Sequence, residues 1–195
     1  MTTTNWKNIC LSVPIFLLMV SFQQDTEKTW QKDAPLTWTD FQASEKPSKF
    51  DAKTVSNTRC RERFAYRLVD TSKIDSYVIE FKVKSVMDRS GSWVDPAYKT
   101  QALLEHEQLH FDITEYFARQ MLKEFQKGSY TRKFRNEIDD IKKRIIANRN
   151  TVQMLYDQQT NHSLNGNVQS KWNKYVKVLL ENNPALDSTM THLPQ

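Results

Sequence analysis

Large apolar residues alternate with polar ones along two stretches in the first half of the chain. The first runs from Arg63 to Leu68, and the second, longer stretch runs from Tyr77 to Ser85. A period of two residues is typical of a strand with one buried and one solvated face. Residues 70–76 would connect the two strands, so the pattern predicts an antiparallel pair.

The apolar spacing becomes helical after position 95. Asp95 and Pro96 form a typical helix start, with an aspartate cap followed by proline at the first helical position. No glycine or proline follows until Gly128, which predicts a helix from about Pro96 to about Lys127. Its predicted buried face contains Leu103, His106, His110, Ile113, Phe117 and Met121.

Two further helices are predicted in the second half. One begins near Thr131, and its apolar stripe comprises Ile138, Ile141, Ile145, Val152 and Leu155. The turn at Asn165-Gly166 separates it from a last helix over 168–180, with Trp172, Val176 and Leu179 directed inward. Strands followed by helices predict the α+β class, with a short element at 36–41 and a loop at 42–57.

The ends of the chain differ in composition from its middle. Residues 1–22 carry one charge, Lys7, before an apolar run, which is typical of a signal peptide and predicts a secreted or periplasmic protein. An uncleaved N-terminal anchor is the alternative. We expect a flexible lead-in at 23–35, one domain at 36–182 and a polar tail at 183–195, with no stable membrane insertion of the mature domain.

Charge and cysteine content narrow the classes of function. The net charge of +5 falls to +4 without Lys7, and Cys60 is then the only cysteine, which excludes an internal disulfide and disfavours cysteine ligation of a metal. The second helix is rich in lysine and arginine. A solvated helix face explains this better than nucleic-acid binding, because a secreted protein rarely meets nucleic acid.

The predicted long helix carries the motif His106-Glu107-Gln108-Leu109-His110. Residues i and i+4 lie on one helix face, so the two imidazoles can bind a single metal ion. In zinc hydrolases the glutamate of this motif acts as general base towards the water at the metal. The sequence therefore predicts one zinc ion per chain and Glu107 as the catalytic residue, in a zincin-like arrangement of a small antiparallel sheet beside this helix.

A catalytic zinc ion needs a third protein ligand. His162 lies 52 residues after His110, at the polar end of the second helix, and Glu137 lies 27 residues after His110. We favour His162, with Asp157 or Thr160 holding its other ring nitrogen, and keep Glu137 as the alternative.

Several of these segments together resemble a family of secreted bacterial proteins, catalogued as a domain of unknown function and described as zinc-dependent proteases. The similar segments are Leu36-Thr37-Trp38 with Asp40-Phe41, Ser92-Trp93-Val94, residues 103–113 around the motif with its His-Phe-Asp-Ile extension, Asp157-x-x-Thr160-x-His162, and Gln169-x-x-Trp172. The resemblance implies that Asp157, Thr160 and His162 belong to the same site as the motif helix.

These features predict a secreted zinc metallohydrolase, most simply a peptidase acting on peptides or proteins. The strand from Tyr77 to Ser85 could present its edge to an extended substrate. Two alternatives stay open at this point: a non-catalytic envelope binding protein with a structural metal, and an amidase acting on cell-wall peptides. The sequence does not indicate an oligomeric state.

Overall fold

The computed structural model describes residues 26–46, 52–68 and 77–184. The α+β class is confirmed, with strands in the first half and helices in the second. The elements are β1 (Glu27–Thr29), a 3-10 helix (Trp38–Asp40), β2 (Thr54–Val55), β3 (Thr58–Leu68), β4 (Tyr77–Asp88), β5 (Trp93–Val94), a second 3-10 helix (Pro96–Tyr98), α1 (Gln101–Lys127), α2 (Phe134–Thr160) and α3 (Gly166–Asn182). The predicted signal peptide at 1–22, the connection at 70–76 and most of the predicted tail, residues 185–195, lie outside the described residues.

The predicted antiparallel pair forms the main sheet, in the order β1-β4-β3. Cys60 lies opposite Ser85, and Phe64 lies opposite Phe81. The even-numbered residues of β3 and the odd-numbered residues of β4 face the helices: the Cys60 thiol bonds to the carbonyl of Thr114, and Phe81 stacks on Phe125. The opposite face of the sheet is largely exposed.

Two predictions about the first sixty residues are wrong. The expected flexible lead-in contains β1, which pairs with the end of β4, and the Trp30 indole nitrogen donates a hydrogen bond to Asp112 of α1 at 2.7 Å. The expected loop at 42–57 contains β2, which pairs with β5. Strands of two or three residues are too short to show a period, and only their partners stabilise them.

The motif helix begins later than predicted. Asp95 caps only the 3-10 helix over Pro96–Tyr98, and the side chain of Thr100 caps α1 by accepting from the Leu103 backbone N–H. The helix ends at Lys127 before Gly128, as predicted. The start of α2 also differs, because Glu137 accepts hydrogen bonds from the backbone and hydroxyl of Thr131 and holds that residue outside the helix.

Helix α1 lies at the centre of the fold. It packs against β3 and β4 and against α2 and α3. All residues of its predicted apolar face are buried except His110, which is partly buried, and Trp172, Val176 and Leu179 of α3 are buried as predicted. This packing brings the middle of α1 against the C-terminal end of α2. In the described ranges, no helix has both the length and the apolar character needed to cross a membrane.

A buried carboxylate joins the N-terminal segment to the rest of the domain. Asp40 forms ion pairs with Lys28 at 2.9 Å and with Arg89 at 3.3 Å, and it accepts from the Thr37 backbone N–H at 2.8 Å. Burial acts to raise the pKa of Asp40, but Lys28 and Thr37 outweigh it and leave the pKa below its ordinary value of 3.8.

Replacing this carboxylate should weaken the domain in a pH-dependent way. Because the folded-state pKa is depressed, the contribution of Asp40 is complete above the unfolded-state pKa and is lost as pH falls through the folded-state value. We expect Asp40→Asn to lower the free energy of unfolding by about 3 kcal/mol at neutral pH, since it removes the buried carboxylate that Lys28 and Arg89 contact.

Urea unfolding of the wild type and the variant between neutral pH and acid is the measurement. The difference between the two should shrink as pH falls below the ordinary aspartate range. Asp139→Asn is the control, because Asp139 is exposed on α2. A difference that stayed constant down to acid pH would show that Asp40 does not act through its charge.

Candidate metal centre

Three potential ligands converge where α1 meets α2. His106 and His110 come from successive turns of α1, and Asp157 comes from the end of α2. The Nε2 atoms of His106 and His110 are 3.1 Å apart. Oδ1 of Asp157 lies 3.1 Å from Nε2 of His106 and 3.0 Å from Nε2 of His110. This group can hold a metal ion.

The triangle has nearly the size that a bound ion requires. With metal–nitrogen distances of about 2.0 to 2.1 Å and tetrahedral angles, neighbouring ligand atoms lie about 3.3 Å apart. The observed sides differ from this value by only a few tenths of an ångström. Small side-chain movements therefore suffice to coordinate an ion.

The far sides of both rings are held by glutamine side chains. Nδ1–H of His106 donates to Oε1 of Gln169 at 3.2 Å, and Nδ1–H of His110 donates to Oε1 of Gln153. The amide of Gln153 is oriented by its own donation to the His110 carbonyl at 2.9 Å, and Oε1 of Gln169 also accepts from the Tyr156 hydroxyl at 2.6 Å. Both Nε2 atoms of the neutral rings are thus left as lone-pair donors.

These tautomers make the centre a site for a cation. Two nitrogen lone pairs and a carboxylate oxygen face each other at about 3 Å with no hydrogen atom between them, which is unfavourable unless a proton or a metal ion lies there. The donor set, two imidazoles and one carboxylate, is that of many catalytic zinc sites. The residues present therefore fit a divalent transition metal.

The electrostatics of the cluster agree with this chemistry. Burial acts to raise the pKa of Asp157, but the adjacent imidazoles of His106 and His110 outweigh burial and hold the pKa well below its usual range. Burial lowers the pKa of His110, but Asp157 and Glu107 outweigh it and raise the pKa above the ordinary value. The negative surroundings thus stabilise positive charge at the centre.

A buried aromatic residue supports the two histidines from behind. Tyr156 stacks on the His106 ring with centroids 4.5 Å apart and contacts the His110 ring edge-on at 4.8 Å. Burial raises the pKa of its hydroxyl far above the usual range, so it stays protonated and donates to Gln169. Trp172 of α3 packs on the other side of Tyr156.

Gln153 and Tyr156 belong to the site but are not predicted from the sequence. With Asp157 and Thr160 they occupy positions i, i+3, i+4 and i+7, one face of α2. Polar side chains at that spacing on a buried face are a signal of a site, because polar groups there need partners. The apolar stripe predicted for α2, from Ile138 to Leu155, contains no residue of the metal centre.

The motif glutamate lines the cavity beside the cluster. Glu107 is 4% exposed, and it shares with His106, His110 and Asp157 the wall of a cavity of about 1050 Å³. Among the described residues, no hydrogen bond to its carboxylate occurs. A buried carboxylate without a protein partner is free to accept a proton or a hydrogen bond from a molecule in the cavity.

The structure does not bring His162 into the cluster. Its side chain is 77% exposed, and its Nδ1 lies 3.7 Å from Oδ1 of Asp157. It belongs to a run of three residues with left-handed backbone, Asn161 to Ser163, with φ of 47°, 50° and 76°, which turns the chain away from the end of α2. His162 therefore lies at the rim of the cavity, and Asp157 occupies the position expected for it.

The other two candidates also lie elsewhere. The Thr160 hydroxyl donates to the backbone carbonyl of Tyr156 at 2.7 Å and does not reach a histidine ring. Glu137 lies in the first turn of α2, twenty residues before Asp157, which corresponds to about 30 Å along the helix axis. The distance excludes Glu137 as a ligand at this centre.

Loss of a glutamine behind a histidine should weaken metal binding without removing a ligand. We expect Gln169→Leu to lower zinc affinity by about 10- to 100-fold, because the His106 ring loses the acceptor that fixes its tautomer. Competition titration with a chromophoric chelator measures this affinity. Gln159→Leu is the matched control, because Gln159 accepts from the Trp172 indole at 2.9 Å and contacts no histidine; an equal loss in both variants would contradict the role assigned to Gln169.

Comparison with known proteins identifies a family to which the chain is similar. The sequence model of a family described as "Bacterial protein of unknown function (DUF922)" matches residues 37–163. That range contains both motif histidines, Glu107 and Asp157, and ends before Gln169. No curated protein and no solved structure matches the chain.

Proposed function

We propose that this chain, which belongs to the DUF922 family of bacterial proteins of unknown function, is a zinc-dependent hydrolase that cleaves peptides. One observation carries the proposal. Three ligand atoms form a triangle with sides of 3.0 to 3.1 Å beside the unpartnered carboxylate of Glu107, at the wall of a large cavity.

Zinc suits the donor set that the chain supplies. His106, His110 and Asp157 would hold the ion, and we assign the third ligand to Asp157 rather than to His162. Cys60 is buried between the sheet and α1, bonded to the Thr114 carbonyl, and is not a competing ligand. When bound, zinc acts as a Lewis acid that polarises a substrate carbonyl and lowers the pKa of a coordinated water molecule.

Glu107 would move the proton. It follows His106 directly and projects about 100° around the helix from it, so it faces the cavity next to the ligand cluster. Its carboxylate would accept a proton from the attacking water and later return it to the leaving amine. Among the described residues its carboxylate has no hydrogen bond from the protein, so its oxygen atoms can contact that water.

The cavity wall opposite the cluster suits an extended peptide. Residues 52–56, which include β2, line the cavity. In the antiparallel pairing of β2 with β5, the Lys53 carbonyl accepts from the Asp95 N–H, so the alternating pattern turns the backbone of Thr54 away from β5. No other described residue bonds to its N–H or C=O, which leaves both groups for a substrate strand.

The edge considered from sequence is in the wrong place for this role. Phe81, in the middle of β4, stacks on Phe125 of α1. Phe125 follows His110 by fifteen residues, which corresponds to about 22 Å along the helix. The middle of this segment therefore lies far from the metal centre, and the short strand β2, which lines the cavity, replaces it as the candidate substrate edge.

Peptide cleavage by the zinc-loaded full chain tests the proposal. A mixture of unstructured peptides is incubated with the protein, with the protein after chelation, and with the chelated protein after zinc is restored; mass spectrometry detects the fragments. We expect cleavage that stops on chelation and returns with zinc. Cleavage only of cell-wall stem peptides would favour an amidase, and no cleavage of either with zinc bound would favour a binding protein with a structural metal.

We also propose that the sheet and the motif helix are arranged as in zincins. We further propose that the protein is secreted or periplasmic. The arrangement is supported by α1 packing against the sheet with its motif at the cavity. The location is supported by the composition of residues 1–22 alone. Peptide or protein substrates are the partners that both features favour.

A further inference from the structure

The outer face of the main sheet, the one turned away from the helices, is predominantly cationic. It is formed by the odd-numbered residues of β1 and β3 and the even-numbered residues of β4, as the strand register shows. Six cationic side chains lie on it, Arg59, Arg61, Arg63, Arg67, Lys82 and Lys84, and three acidic ones, Glu27, Glu80 and Asp88. We call this surface the cationic sheet face.

Like charges face each other directly across the two long strands of this surface. Arg61 is paired with Lys84, and Arg63 is paired with Lys82. Side chains in such positions are about 4.5 to 5.5 Å apart at Cβ, and like charges there destabilise a sheet. Two adjacent pairs of like charges therefore lower the stability of the sheet, so stability does not explain their presence.

The charges are only partly neutralised by the protein. Glu27 forms ion pairs with Arg59 at 2.5 Å and with Arg61. In the part of the chain that the structure describes, Arg63, Lys82 and Lys84 have no ion pair, and all three are exposed. A negatively charged partner would therefore meet unpaired cations there.

The spacing of these cations fits a linear chain of anions. Alternate residues of a strand are about 6.6 to 6.8 Å apart, so Arg59, Arg61 and Arg63 form a straight row with Lys84 and Lys82 beside it. The row is long and only two strands wide. Guanidinium groups bind phosphate oxygens through paired hydrogen bonds, which makes repeated phosphates a suitable partner.

Other anionic partners fit the surface less well. The exposed apolar side chains at the described positions of the cationic sheet face are the small Ala65 and Val78, so these positions offer no aromatic or leucine side chain to insert into a bilayer. Stacking of nucleic-acid bases also needs aromatic side chains, and this face has none among its described positions.

We propose that the cationic sheet face binds a linear polymer of phosphate groups, with Arg61, Arg63, Lys82 and Lys84 as the principal contacts. The surface lies on the opposite side of the sheet from α1, which carries the metal centre. Binding is thus independent of zinc and of hydrolysis. It would hold the protein on a polyphosphate-like matrix while the cavity on the other side stays open.

The test uses the full chain, with long-chain inorganic polyphosphate as the probe and calorimetry as the readout. We expect wild-type binding to weaken by at least about tenfold when salt is raised from about 50 to about 200 mM, because three or more contacts release counterions. The double variant Lys82→Glu/Lys84→Glu should lose at least about tenfold in affinity. It should unfold at the same or a higher urea concentration, because each new glutamate lies opposite an arginine.

A matched control separates this surface from net charge. Lys171→Glu/Lys174→Glu makes the same change on the exposed side of α3 and should retain wild-type affinity. Equal losses in both double variants would overturn the proposal. It would also be overturned if wild type bound vesicles of phosphatidylglycerol and phosphatidylcholine but not polyphosphate, since that result would assign the face to a membrane surface.

Discussion

Glu107→Gln should still bind one zinc ion per chain, less tightly than the wild type because one nearby negative charge is lost, and should hydrolyse peptides about 100- to 10,000-fold more slowly. The amide keeps the size and burial of the side chain but cannot accept a proton from water. The three ligand side chains should keep their positions, because among the described residues the Glu107 carboxylate has no hydrogen bond to any of them. Single-turnover cleavage of a fluorogenic peptide, with zinc content measured on the same sample, gives both quantities.

The matched control for this variant is two residues away. Glu105 is exposed on α1 and accepts a hydrogen bond from Gln101 at 3.0 Å, so Glu105→Gln makes the same chemical change outside the cavity. It should retain both zinc and activity. Wild-type cleavage rates in Glu107→Gln would show that another group moves the proton and would remove the mechanism proposed for this site.

Asp157→Ala should lower zinc affinity by at least about 100-fold, more than the loss of an outer supporting residue produces. It removes one of three ligand atoms and the negative charge that stabilises a cation between the two imidazoles. His162→Ala should leave zinc affinity within about threefold of wild type, because an exposed side chain at the rim of the cavity contributes no ligand atom. Competition titration against a chelator of known affinity distinguishes the two.

The reverse outcome is informative. If His162→Ala lost zinc while Asp157→Ala kept it, the turn from Asn161 to Ser163 would have to rearrange when metal binds. The ligand set expected from sequence alone would then hold. Urea unfolding of both apo variants guards against misfolding, since a variant that unfolds like the wild type has lost affinity at the centre and not its fold.

The long elements could be predicted from the sequence because their periods are local. The strands β3 and β4, the end of α1 at Gly128 and the inward face of α3 follow from alternation, helical spacing and chain-breaking residues. The short strands β1, β2 and β5 could not, since two or three residues carry no period and pair only with distant segments. The helix start at Thr100 was missed because Asp95-Pro96 caps a separate short turn.

The site shows the same division between local and distant information. His106 and His110 are brought together by one turn of helix, which spacing predicts. Which residue supplies the third ligand depends on how α2 packs across α1. The sequence pattern does not predict that packing. Asp157 and His162 are only five residues apart, but a left-handed turn between them leaves one facing the cluster and the other facing solvent.

Zinc content and X-ray absorption spectroscopy on the purified full chain identify the metal and its ligands. We expect one zinc ion per chain, with two imidazole nitrogens at about 2.0 to 2.1 Å and oxygen atoms as the remaining ligands. A shell of three imidazoles would contradict the assignment of Asp157. Absence of zinc after reconstitution of the apo protein would contradict the metal centre itself, and with it the proposed hydrolase.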